Sequence, residues 1–190
     1  MKLKQTHVQK LARVLKVLVT VVFVCNLIAL FLAPGLAFLR GEEDLLGLMP
    51  SQNPLRLAIL FAKCWSWPLW IFAEDLYGVV LALFLLFCGV CTAVILWQAR
   101  RVLGTICVRS PFCLENAASM RRAAVCCFVI SGAALARTIW GFCYYRSIAP
   151  LLTYNFLFVP LFLMAGLVCM VMSALFRQAA ELKAENDLTI

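Results

Sequence analysis

Charged residues cut this chain into long apolar runs. Between Lys16 and Arg40 lie 23 uncharged positions, and between Asp75 and Arg100 lie 24. A third run follows Arg122, is broken by Arg137, and ends near Tyr144 or Tyr145. The fourth, 30 positions between Arg146 and Arg177, carries Pro150 and Pro160 near its start. Crossing about 30 Å of hydrocarbon takes about 20 mostly apolar residues in a helix. The pattern therefore predicts an all-α membrane protein with four transmembrane helices, over about 17–39, 76–98, 123–144 and 150–176. A loop at 100–122 and a tail at 177–190 complete a single integral membrane domain. The first run exceeds the length of a signal-peptide core, so it is read as an uncleaved helix. Leu57–Ala73 is also apolar, but Lys63 interrupts it and Pro68 breaks its middle. An interfacial or re-entrant segment before helix two is expected there, rather than a fifth span.

Composition removes the soluble alternatives. The chain is 65% hydrophobic and 14% charged, with mean hydropathy +0.97, against about 45–50% and about 25% in soluble domains. A globule of this size has too little interior to hide so much apolar surface.

Lys and Arg then orient the chain, because they accumulate on the cytoplasmic side. Twelve fall at the N-terminus (Lys2, Lys4, Lys10, Arg13, Lys16), in the loop (Arg100, Arg101, Arg109, Arg121, Arg122) and in the tail (Arg177, Lys183). The other side holds five, Arg40, Arg56, Lys63, Arg137 and Arg146, alongside Glu42, Glu43, Asp44, Glu74 and Asp75. Both termini are expected in the cytoplasm. The net charge of +8 then reflects orientation and contact with anionic headgroups, with no basic soluble face for direct nucleic-acid binding. Trp65, Trp67 and Trp70 on the outer side, Trp97 at the inner end of helix two and Trp140 near the outer end of helix three suit an aromatic belt.

Chemistry is sparse. Cys25, Cys88, Cys91, Cys126, Cys127 and Cys169 fall inside predicted spans, where a thiol packs as a small apolar group. Cys107 and Cys113 belong to the cytoplasmic loop. Cys64 and Cys143 face the oxidising side, where one disulfide is allowed but no spacing pattern requires it. Cys88-Gly-Val-Cys91 has the spacing used by quinone-linked membrane disulfide oxidases, yet Cys88 lies about 18 Å down its helix from the outer surface. Exchange chemistry needs access to water and a partner thiolate. The single histidine, His7, cannot build a zinc site. No phosphate-binding loop or nucleophile motif occurs. No catalytic, cofactor or metal residues are assigned.

Polar groups within the spans are costly and so informative. Arg137 either snorkels to the outer headgroups or joins Glu74, Asp75 and Asn155 in an intramembrane cluster. Asn26 is expected to hydrogen-bond across helices. Gly78/Ala82 and Gly89/Ala93 on helix two, Gly132/Ala136 on helix three, and Ala165, Cys169 and Ser173 on helix four predict close helix contacts within the chain, or self-association.

The most distinctive text lies in the loop and tail. Ser110-Pro111-Phe112-Cys113-Leu114-Glu115-Asn116 suits the start of a helix running into helix three. After an amphipathic stretch from Phe176, the chain ends Glu185-Asn186-Asp187-Leu188-Thr189-Ile190, with Lys183 and Asp187 one turn apart. Pro111-Phe112, Glu115-Asn116, Arg121-Arg122 and that terminus together resemble the bacterial DUF2975 membrane family, from about Asp75 to the end. Members typically carry Ser or Thr after Pro-Phe. Cys113 stands there instead and lacks the hydroxyl of a strong helix cap. The resemblance implies a four-helix protein of the bacterial cytoplasmic membrane with no assigned biochemistry. Its members are often encoded beside a small helix-turn-helix regulator, which implies a cytoplasmic protein partner besides the lipid bilayer.

Three functions stay open. The chain is a non-catalytic partner of a cytoplasmic protein, touching it through Pro111, Phe112, Glu115, Asn116 and Glu185–Ile190. It is a small transporter or channel subunit working around Arg137. Or it is a thiol oxidoreductase using Cys88 and Cys91.

Overall fold

A computed structural model of the chain describes residues 7–39, 62, 65, 76–107, 113–145 and 154–187. Among them every residue but Cys113 is helical, with four long elements: α1 (His7–Leu39), α2 (Leu76–Cys107), α3 (Leu114–Tyr145) and α4 (Tyr154–Asp187). All four are long and apolar enough to cross a membrane. The helices outrun the apolar segments that define them. α2 continues from Trp97 to Cys107, and α3 starts before Arg121 and Arg122. A helix satisfies its own backbone groups, so the edge of the hydrocarbon ends a span without ending the helix. Of Leu57–Ala73, Ala62 and Trp65 are described, both helical; the rest lies outside the described residues.

Two compact units divide the chain. One comprises Met1–Phe23 and Cys91–Ile190 and holds the α3–α4 pair. These helices run antiparallel, because ascending α3 descends α4. Ser173 Oγ donates to the Ala117 carbonyl at 2.8 Å, and Ser131 Oγ donates to the Val159 carbonyl at 2.9 Å. Cys127 and Cys169 meet between these points in thiol–thiol contact. At Gly166 a Cβ would sit 2.8 Å from Phe128 Cε1, so any side chain there must displace the Phe128 ring. Pro160 lies within α4 and deprives the Phe156 carbonyl of its helical donor. The bond from Ser131 goes to the carbonyl of Val159, the residue before the proline, and not to the carbonyl that Pro160 orphans.

The buried face of α3 steps through Ala117, Ala124, Cys127, Ser131, Ala134 and Thr138, the three-and-four spacing of one helix face. Gly132 and Ala136 lie off this face. Both are exposed, and a Cβ at Gly132 would meet nothing within 4 Å. The expected small-residue contact there is replaced by one formed of alanines, serine and cysteine. On α4 the expectation holds, with Ser173 and Cys169 both engaged. Midway along α1, Phe23 and Trp97 of α2 approach at 6.0 Å between centroids, and the Arg100 guanidinium carbon lies 5.6 Å from each ring centroid.

The second unit comprises Val24–Val90. Within it Gly89 lets α2 close on Leu30 of α1, 3.1 Å from where a Cβ would be, and Ala82 is fully buried. Phe31 stacks on Trp65 at 6.0 Å. Among the described residues, the interhelical bond expected of Asn26 is not seen. Its Oδ1 is buried and without a hydrogen-bond partner among the described residues.

Candidate contact surface at the α2–α3 corner

Where α2 ends and α3 begins, polar side chains replace hydrocarbon-facing ones. Cys113 occupies the cap of α3 through its backbone: its carbonyl accepts the Asn116 N–H at 3.1 Å and the Ala117 N–H at 3.4 Å. Glu115 follows in the first turn, where a carboxylate complements the positive end of the helix. It also accepts from Arg101 of α2 at 3.1 Å, with both side chains largely open to solvent.

Beneath this exposed pair lies a buried one. Asn116 Nδ2 donates to Thr105 Oγ1 at 2.7 Å, and Thr105 Oγ1 in turn donates to the Val102 carbonyl at 2.7 Å. Asn116 is 1% exposed. Its amide is spent inside the protein, which leaves Glu115 as the member of the pair that faces outward. Ser119 is buried one turn further on, and the Ser173 bond to Ala117 ties α4 to the same corner. Four side chains from three helices thus fix the start of α3. The corner is a polar platform tied to all three helices.

The C-terminal motif continues α4 as helix through Asp187. Glu181, Leu182, Lys183, Glu185 and Asn186 are exposed, and Arg177 donates to Glu181 at 2.9 Å one turn away. Arg177–Glu181 is one pair in this tail; of Asp187 only the helical backbone is described, so its pairing with Lys183 lies outside the described residues. Pro111, Phe112, Leu188, Thr189 and Ile190 lie outside the described residues.

The intramembrane cluster is likewise only partly visible. Arg137 is half-buried on α3. Glu74 and Asp75 lie outside the described residues, and for Asn155 only its place in α4 is given.

Among the described residues no disulfide joins any two cysteines, and no three His, Cys, Asp or Glu side chains gather to hold a metal. Cys88 and Cys91 are both half-buried. The sequence reading missed how the thiols converge: Cys91 of α2 lies beside Cys126 of α3, and Cys127 contacts Cys169 of α4. It also missed Thr105 as partner of Asn116. An Asn in the first turn of a helix, with a Thr in the last turn of the preceding one, was the available signal.

Comparison with known proteins fits this picture. No curated protein and no solved structure matches the chain. One family, described as a protein of unknown function (DUF2975), matches residues 48–190, which takes in α2, α3, α4, the corner and the tail. The match begins before Asp75, so it also includes the segment ahead of α2. By that match over most of its length, the chain belongs to the DUF2975 family.

Proposed function

We propose that this protein is a non-catalytic partner, in the bacterial cytoplasmic membrane, of a cytoplasmic protein, with a helix-turn-helix regulator as the leading class. The observation that carries this reading is the end of α4. The helix persists as far as Asp187, past its apolar run, and shows Glu181, Lys183 and Glu185 around Leu182, which is 66% exposed. Leu182 and the charges around it are the groups this preformed helix would offer to such a partner. The braced α2–α3 corner adds support: a platform holding Glu115 outward pays no ordering entropy on contact.

Orientation comes first in the test. Reporter fusions at His7, after Arg109 and at Ile190 should report cytoplasm, and one near Asn53 the exterior. An exterior signal at Arg109 overturns the reading. The tagged full chain should then retain a helix-turn-helix regulator through purification. A chain lacking Asp187–Ile190 should insert and accumulate normally, since spanning helices satisfy their backbones internally, but lose that regulator. Equal retention removes the tail from the contact surface. Failure of both chains to retain it removes the partner.

A further inference from the structure

We propose that a cleft between the first turns of α1 and the last turns of α2 binds the phosphate of an anionic phospholipid. The cleft, of about 430 Å³, is lined by Lys16, Trp97, Arg100, Arg101 and Gly104. Three of these carry positive charge and none is acidic. Arg101 is engaged by Glu115, but Lys16 and Arg100 have no ion-pair partner among the described residues. The Arg100 Nε is buried without a hydrogen-bond partner there. Its guanidinium carbon lies over the rings of Phe23 and Trp97, 5.6 Å from each centroid, within cation–π range. A cation–π contact uses none of the guanidinium N–H groups, which stay available to donate to phosphate oxygens. Gly104 keeps the floor open, since even a Cβ there would lie 3.6 Å from Lys16 Nζ.

The position selects the source of the phosphate. Lys16 immediately precedes the apolar run of α1, and Arg100 immediately follows that of α2. The cleft therefore sits where hydrocarbon gives way to headgroups, with Trp97 beside it as an interfacial side chain. Basic pockets between membrane helices at this level are sites for anionic headgroups. The inference stands independently of the protein partner proposed above.

Native mass spectrometry of the full chain in detergent, with phosphatidylglycerol and phosphatidylcholine of equal acyl length, tests it. Phosphatidylglycerol should bind more tightly. Lys16→Gln and Arg100→Gln should each weaken it by about fivefold, the worth of one basic residue at an anionic surface. Gly104→Leu, which keeps every charge but fills the cleft, should weaken it as well. Lys183→Gln on the exposed tail should not. Equal binding of the two lipids overturns the proposal, as does an equal loss in Lys183→Gln. Displacement of the lipid by millimolar inorganic phosphate overturns the lipid assignment in favour of a free-anion site. Circular dichroism checks that each variant is folded. Should a charge variant misfold, the lipid preference of the native chain and the Gly104→Leu result still decide.

Discussion

α1 and α3 both read as spans, yet they are built on opposite plans. The apolar stretch of α1 has a mean hydropathy of 2.6, and none of it is buried within the protein; that of α3 has a mean hydropathy of 1.7, and 39% of it is buried. In water the more apolar helix would be the more buried. In a bilayer the lipid already solvates leucine and valine, so hydrophobicity alone gives helices no reason to associate. Packing instead requires small side chains and internally satisfied polar ones. α3 supplies both, with Ala117, Ala124 and Ala134 beside Asn116, Ser131 and Thr138 on its buried side. α1 presents Leu11, Val14, Val17, Leu18, Val21 and Ile28 outward. Hydropathy locates the spans; small and internally satisfied polar side chains make the contacts between them.

The largest effect that can break this comparison is expected at the α3–α4 contact. Gly166→Leu drives a side chain into Phe128, whose Cε1 lies 2.8 Å from the position of a Cβ. Overpacking of this kind costs about 1–3 kcal/mol or more. Gly132→Leu on α3 itself points into open space and should leave thermal unfolding in detergent near that of the native protein. Phe128→Ala should recover part of the stability lost in Gly166→Ala. If Gly132→Leu is as damaging as Gly166→Leu, the packing face of α3 is wrongly drawn.

Buried amides give the next contrast. Asn116→Leu removes the donor to Thr105 at 2.7 Å from a fully buried position and should destabilise by about 1–3 kcal/mol. Asn26→Leu on α1 replaces an amide whose Oδ1 is buried without a partner, and should be neutral or stabilising. A loss at Asn26 comparable to that at Asn116 would show that α1 carries a polar contact of its own. Glu115→Gln should matter less than Asn116→Leu, because exposed ion pairs contribute no more than about 1 kcal/mol.

These contrasts also mark what was legible in the sequence. Charge-free runs located all four helices, since a span is a one-dimensional property of composition and length. The start of α3 near Pro111–Glu115 was legible from its helix-start residues, and the DUF2975 resemblance from its short motifs. Contacts between helices were not. Small-residue spacing on α3 fits several faces, and Gly132–Ala136 was as plausible as the face that packs. Nothing in a single sequence says whether Asn26 or Asn116 finds a partner, because a partner sits on another helix at a depth set by packing. The same holds for the cleft: Lys16, Arg100 and Arg101 read as orienting charges, and only the pairing of α1 with α2 places them around one space.

Hydroxyls give the smallest of the three contrasts and test its physical basis most directly. Ser131 and Ser173 each donate between α3 and α4, at 2.9 and 2.8 Å, whereas Thr20 on α1 donates within its own helix to the Lys16 carbonyl at 2.7 Å. Interhelical bonds of this type in membranes average about 0.6 kcal/mol, because the separated helices also find partners. Ser173→Ala should lower stability by about that amount. Ser131→Ala should cost a similar amount, since the Val159 carbonyl it serves, like that of Ala117, keeps its helical N–H. Thr20→Val should change nothing measurable, because the Lys16 carbonyl keeps its helical N–H when the hydroxyl goes. Unfolding midpoints in one detergent rank the three variants. Thr20→Val falling with the serines would mean that hydroxyls act here through their own helix and not by joining α3 to α4.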